Sequence, residues 1–240
     1  MNLPVAVAIP IKNILAMSSG GPRVPFMEGF IKGICIKGNN QTNWNTVLGI
    51  SAGALLGSYV AQFENNETLD KGMDKIMKMH VDIMKPWVIL GDIVNLVVAF
   101  VWHDSIFKPN LRHMVDSVWQ EKKYRDVYVG TYCVTDGNYI SFTNPTKDQI
   151  VASASIPVVF PPVTIGNKQY VDGAMAHIIP IEEIKKQWNG GTLDVMLCYP
   201  TEHTAFMKAT NAESHYKLSG RVFATLNENT WYNMNRDLDD

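Results

Sequence analysis

"VLGISAGALLGSY", residues 47–59, starts as a short apolar run and continues as a helix, with Ser51 at the corner. Leu55, Leu56, Tyr59, Val60 and Phe63 keep helical spacing, so the second half is a helix with a packed face. Gly49 and Gly53 flank the serine, as a sharp strand-to-helix elbow requires: they relieve the steric load of the turn and of a helix lying on its own strand. Such an elbow is expected to lift the Ser51 hydroxyl into the open at a helix N-terminus, where the dipole favours developing negative charge. The Gly-x-Ser-x-Gly pattern alone decides little, since it arises by chance in roughly one chain of this length in ten. A nucleophilic serine also needs a base and donors for an oxyanion.

Upstream of the elbow, "IKNILAMS" (11–18) reads as a first buried strand, "SSGGP" as a glycine-rich turn, and "RVPFMEGFIKGICIKG" as an amphipathic helix. Pro22 suits the first turn of that helix, where its missing N–H is not needed. "TVLGI" is the second strand. Residues 67–123 read as largely helical, with breaks near Pro86 and at "HDSIFKPN". "DVYVGTYCVTDGNYISFT" alternates and turns at Asp136-Gly137-Asn138, a hairpin signal. "KDQIVASAS" is a short helix, "KQYVDGA" a strand entering a turn, "PIEEIKKQWNG" a helix closed by Gly190 and Gly191, and "LDVMLCYP" an apolar strand. From about Ser214 a helical part is expected to pack Val222, Phe223, Leu226 and Trp231 inward. Strands alternating with helices predict an α/β fold of three layers, α/β/α, on a mostly parallel sheet.

The 240 residues are expected to form one domain, with a motif-bearing core at about 11–200 and a helical part at about 201–240. A formal net charge of −2 and the lack of basic runs argue against nucleic acid as a partner. Cys35, Cys133 and Cys198 are too far apart for a metal or CxxC site and read as reduced, buried thiols. "MNLPVAVAIPIKN" lacks a positive n-region and is broken by Pro4 and Pro10, which makes a poor signal peptide; a cytoplasmic protein is the expectation. "WVILGDIVNLVVAFVW" (87–102) is too short and interrupted to span a bilayer and reads as a buried helix, with a cap that touches lipid as the sharper reading. The methionines, Met73, Met77, Met79 and Met84 among them, are expected to fill core gaps.

Two further turns carry chemistry. In "SSGGPR" (18–23) a buried strand, adjacent glycines and a helix start coincide, so Gly20 and Gly21 can aim their N–H groups at one point. In "YVDGAM" a strand delivers Asp172 into a glycine turn, which makes it the candidate base, although Asp-Gly alone is a common turn.

Taken in order, these segments resemble the patatin-like phospholipase family. "SGGPRV" (19–24) resembles its glycine-rich oxyanion motif, "GISAG" (49–53) its nucleophile elbow and "DGA" (172–174) its aspartate turn. "ASASIPVVFPPV" (152–163) is similar to its small-residue segment ahead of the aspartate strand. The resemblance implies a Ser–Asp dyad without histidine: Ser51 as nucleophile, Asp172 as base, Gly20 and Gly21 as oxyanion donors, Gly173 in the aspartate turn. It implies Arg23 as the basic residue that steadies the loop or attracts an anionic head group. It further implies lipid or phospholipid acyl esters as substrates, with peripheral membrane contact, and no cofactor. No calcium-loop spacing is present, so metal-independent chemistry is expected.

Ser19 and Val24 depart from the family's glycines at those positions. Ser19 is expected to offer its own N–H, whereas stiff, bulky Val24 puts the packing of the loop in question. Two other readings compete. One is a Ser–His–Asp hydrolase with the histidine at His177, His203 or His215. The other is a catalytically silent lipid-binding protein on the same fold.

Overall fold

A computed structural model describes residues 10–37, 42–79, 108–157, 160–199, 202 and 232–239. The first strand, β1 (Ile14–Met17), is wholly buried, as its uninterrupted apolar sequence demands. A single 3-10 turn (Gly21–Arg23) with Pro22 at its start leads into α1 (Val24–Lys37). Next come β2 (Thr46–Ile50), α2 (Ala52–Val60), helix α3 (66–79) and α4 (Lys108–Val118). The chain continues through β3 (Asp126–Cys133), β4 (Asn138–Thr143), α5 (Lys147–Ser153), β5 (Val163–Ile165) and β6 (Lys168–Asp172). A 3-10 turn (Gly173–Met175), α6 (Ile181–Gln187), β7 (Leu193–Met196) and helix α7 (232–239) complete the described residues.

Seven strands form one mixed sheet in the order β5-β6-β3-β2-β1-β7, with β4 also on β3. Its centre is parallel: β7, β1, β2 and β3 run side by side. The β3–β4, β3–β6 and β5–β6 pairs are antiparallel, so strand reversal is confined to one end of the sheet. The β5–β6 hairpin, turned at Gly166 with φ +63, was not foreseen from sequence; β5 has only three residues, too few for a periodic signal.

Helices cover both faces. Leu15 and Met17 of β1 and Val47 of β2 pack with α1, α2 and α3 through Met27, Ile31, Leu56, Val60, Leu69 and Met73. Ile14, Ala16 and Leu48 point the other way, onto Ile178, Ile179, Ile181 and Ile184 and onto Met234 of α7. The alternation of neighbouring residues between two cores is the period-2 geometry of strands buried on both sides. The three cysteines are free and buried, and Met73 lies in the core. No helix among the described residues is long and apolar enough to cross a membrane. The expectations for residues 87–102, Met84, Val222, Phe223, Leu226 and Trp231 lie outside the described residues.

Helix α2, which begins at the elbow, is fastened at its far end by a cation. Arg125 is buried and donates to the carbonyls of Val60, the last residue of α2, and of Phe63 beyond it, and to those of Trp44 and Thr42. A guanidinium there satisfies carbonyls that the helix leaves open and complements the negative end of the dipole.

Candidate active site

Two strands meet end to end beneath the site. Along one edge of β3, β2 pairs in parallel as far as Ile50 opposite Gly130. From Thr131 onward β6 takes its place, running antiparallel, with Asp172 opposite Thr131. The carboxyl ends of β2 and β6 therefore converge head-on at Gly130–Thr131. The residue leaving the first is Ser51 and the last residue of the second is Asp172. The opposite strand, β4, occupies the other edge of β3 from Tyr128 to Cys133.

This convergence puts the Ser51 hydroxyl 2.5 Å from Asp172 Oδ2, to which it donates. The other carboxylate oxygen, Oδ1, accepts the Ala174 N–H at 2.8 Å, so the turn after the strand fixes the rotation of the carboxylate. Glycine is required at 173 because a Cβ there would run into the Gly130 carbonyl. At the elbow, Ser51 has φ 57 and ψ −121, a conformation that costs a side-chain-bearing residue about 1–3 kcal/mol and persists only when its surroundings enforce it. A Cβ at Gly49 would strike the Gly53 carbonyl, and one at Gly53 would strike those of Met17 and Ser18, so both glycines exist for close backbone packing. The Ser51 N–H donates to Ser153 Oγ at 3.1 Å.

The elbow does not lift Ser51 into open solvent. Ser51 and Asp172 are each 2% exposed. Burial has an electrostatic consequence: it pushes the Asp172 carboxyl up to about 7, against the opposing pull of the Ser51 hydroxyl and the Ala174 N–H. Near neutral pH this carboxylate can take a proton and give it back.

In the glycine loop, the N–H groups of Gly20 and Gly21 have no acceptor among the described residues. Gly20 lies directly on Cys198, whose thiol would collide with any Cβ at that position. Gly21 has φ +50, the left-handed region that glycine enters at least cost. Ser19 departs from expectation, since its N–H donates to the Ile178 carbonyl at 2.8 Å and is not on offer. Val24 is absorbed without strain: with φ −50 and ψ −34 it is the first residue of α1, and its side chain enters the main core. Arg23 stacks on Tyr199, with its guanidinium carbon 4.8 Å from the ring centroid. Burial pushes the Tyr199 hydroxyl up to about 12, against the opposing pull of the Arg23 charge.

His177 is committed elsewhere. Its Nδ1 lies 2.9 Å from Asp237 of α7, and its ring packs edge-on against Tyr139. His203 and His215 fall outside the described residues. Sequence reading also missed the serines at the end of α5: Ser153 Oγ meets Ser51, and the Ser155 carbonyl accepts the Asp172 N–H at 2.9 Å. The signal available was the run of small residues in "ASAS", which carries no direction. No group of three or more His, Cys, Asp or Glu side chains arranged to hold a metal occurs among the described residues.

Residues 103–184 match the family model described as patatin-like phospholipase. The matched segment includes the 152–163 block and Asp172, and it begins after the glycine loop and Ser51. Among solved structures, the chain is similar to VipD from Legionella pneumophila, at 15% identity and a TM-score of 0.41 over 69% of this chain. That similarity spans 46% of the VipD chain, less than half its length. No curated protein matches the sequence.

Proposed function

We propose that this patatin-like chain is a lipid acyl hydrolase that cleaves carboxylic esters of phospholipids or related lipids through an acyl-serine. The observation that carries the reading is the direct 2.5 Å hydrogen bond from Ser51 Oγ to Asp172 Oδ2, made by a serine held at positive φ where two strand ends converge. Asp172 takes the hydroxyl proton as Ser51 Oγ attacks the ester carbonyl. Negative charge then gathers on the former carbonyl oxygen, for which the N–H groups of Gly20 and Gly21 are the candidate donors. Collapse of the tetrahedral intermediate expels the lipid alcohol, which receives the proton from Asp172. Water next attacks the acyl-serine and loses its proton to Asp172. Expulsion of the fatty acid returns that proton to Ser51. The lipid nature of the substrate rests on the family match alone.

The test is release of fatty acid and lysophospholipid from mixed phospholipid vesicles, followed by mass spectrometry for the wild type and Ser51→Ala. Wild-type release that falls by at least about a thousandfold in the variant supports the reading. Equal release from both, or none from a folded wild type on any ester, contradicts it.

A further inference from the structure

One hydroxyl stands in the gap between β2 and β3 where the ladder between them ends. Ser153, the last residue of α5, is fully buried. Its Oγ accepts the Ser51 N–H at 3.1 Å and donates to the Gly130 carbonyl at 2.6 Å. Ile50 opposite Gly130 is the last paired residue of β2, so the hydroxyl relays between strands where direct pairing stops. A chain that continued the ladder would carry Ser51 in an extended conformation with negative φ, whereas the observed φ is 57.

We propose that Ser153 is the positioning residue of the nucleophile elbow, its hydroxyl acting as a side-chain rung that keeps Ser51 turned toward Asp172. The inference rests on the acyl hydrolase reading and assigns that site a device for its strained corner. Two features make the hydroxyl suited to the task. Both ends of its bridge are backbone groups buried away from water, and losing the bridge leaves a donor and an acceptor unsatisfied, which drives the corner to rearrange. The same end of α5 also holds the base: the Ser155 carbonyl accepts the Asp172 N–H. The last residue of α5 and the segment just after it thus reference both members of the pair to a common frame. The start of α5 is secured by a reciprocal capping box between Thr146 and Gln149.

Ser153→Ala tests this in the full chain, with a soluble p-nitrophenyl ester as probe. The expected result is a kcat lowered about 10- to 100-fold with KM within about twofold of wild type, because alignment of the nucleophile is lost and binding is not. The acid limb of the pH profile moves to higher pH, since a Ser51 hydroxyl turned away from Asp172 no longer holds that carboxyl down. A crystal structure of the same variant provides the second readout: Ser51 leaves positive φ, or its hydroxyl leaves Asp172. A kcat within twofold of wild type, or an unchanged Ser51 conformation in the crystal, overturns the proposal. If the wild type turns over no ester, the hydrolase reading fails, and the crystallographic dihedral alone decides the role of Ser153.

Discussion

Asp172 is a buried carboxylate, with one oxygen on Ser51 and the other on the Ala174 N–H. Its folded-state value of about 7 stands above the ordinary 3.8, so activity that needs the ionised base rises with pH through about 7. The kcat/KM profile checks this. The same shift has a stability consequence of fixed sign. A carboxyl raised on folding favours the folded state fully below its unfolded value, and that contribution is lost as pH rises through 7, at about 1.4 kcal/mol per unit. Asp172→Asn removes the titration. The melting temperature of the variant relative to wild type therefore climbs between pH 5 and pH 8, while activity is lost at both; a pH-independent difference would be inconsistent with a buried ionising carboxylate. Gly20 makes a second prediction at this scale. Gly20→Ala drives a methyl into the Cys198 thiol and lowers kcat by about tenfold or more, and Cys198→Gly in the same chain recovers part of the loss. Kinetics of the two single variants and the double variant measure the coupling.

Helix α2 carries the elbow at one end and is anchored by Arg125 at the other. Arg125→Ala removes four hydrogen bonds to buried or part-buried carbonyls and is expected to cost about 2–4 kcal/mol in denaturant unfolding. The elements around the site differ in how much of them could be read in the sequence. "TVLGI" was expected as a strand and is β2, Thr46–Ile50, because an apolar run bounded by a serine corner has few alternatives. The hairpin at Asp136-Gly137 was equally legible, since Gly137 adopts φ +69 at a turn that its neighbours specify locally. Ser51 and Asp172 could each be named, and so could Gly49, Gly53 and Gly173, whose missing side chains the backbone packing requires. What brings the pair together was not legible. The head-on meeting of β2 and β6 across Gly130 and Thr131 joins residues 121 apart in sequence, and no local period encodes that register. The burial of the dyad, the diversion of the Ser19 N–H and the bridge through Ser153 share this cause: each depends on which distant backbone lies alongside.

Across the whole molecule, α7 returns to fasten the segment just past the dyad. Asp237 is buried and accepts the N–H groups of Ile178 and Ile179, while the Ile178 carbonyl takes the Ser19 N–H beside the glycine loop. Burial works to raise the Asp237 carboxyl, but the hydrogen bonds from His177, Arg236, Ile179 and Ile178 outweigh it and hold it below the usual range. The stability it contributes is therefore present above about pH 4 and lost as pH falls through its folded value. Asp237→Ala is expected to destabilise the fold by about 2–4 kcal/mol at neutral pH, read by thermal unfolding, with the cost shrinking on acidification. His177 serves this clamp, so His177→Ala keeps kcat within about threefold, where loss of a triad histidine would cost several orders of magnitude. The central claim is that Ser51 is activated directly by Asp172, and covalent capture tests it most directly. A fluorophosphonate is mixed with the intact chain across pH 5–9, and the adduct is located by peptide mass spectrometry. The account predicts one phosphonyl group on Ser51, formed at a rate that rises with pH through about 7 and collapses in Asp172→Asn. Labelling of Ser51 at an undiminished rate in Asp172→Asn, or no labelling of Ser51 in the folded wild type, would contradict it.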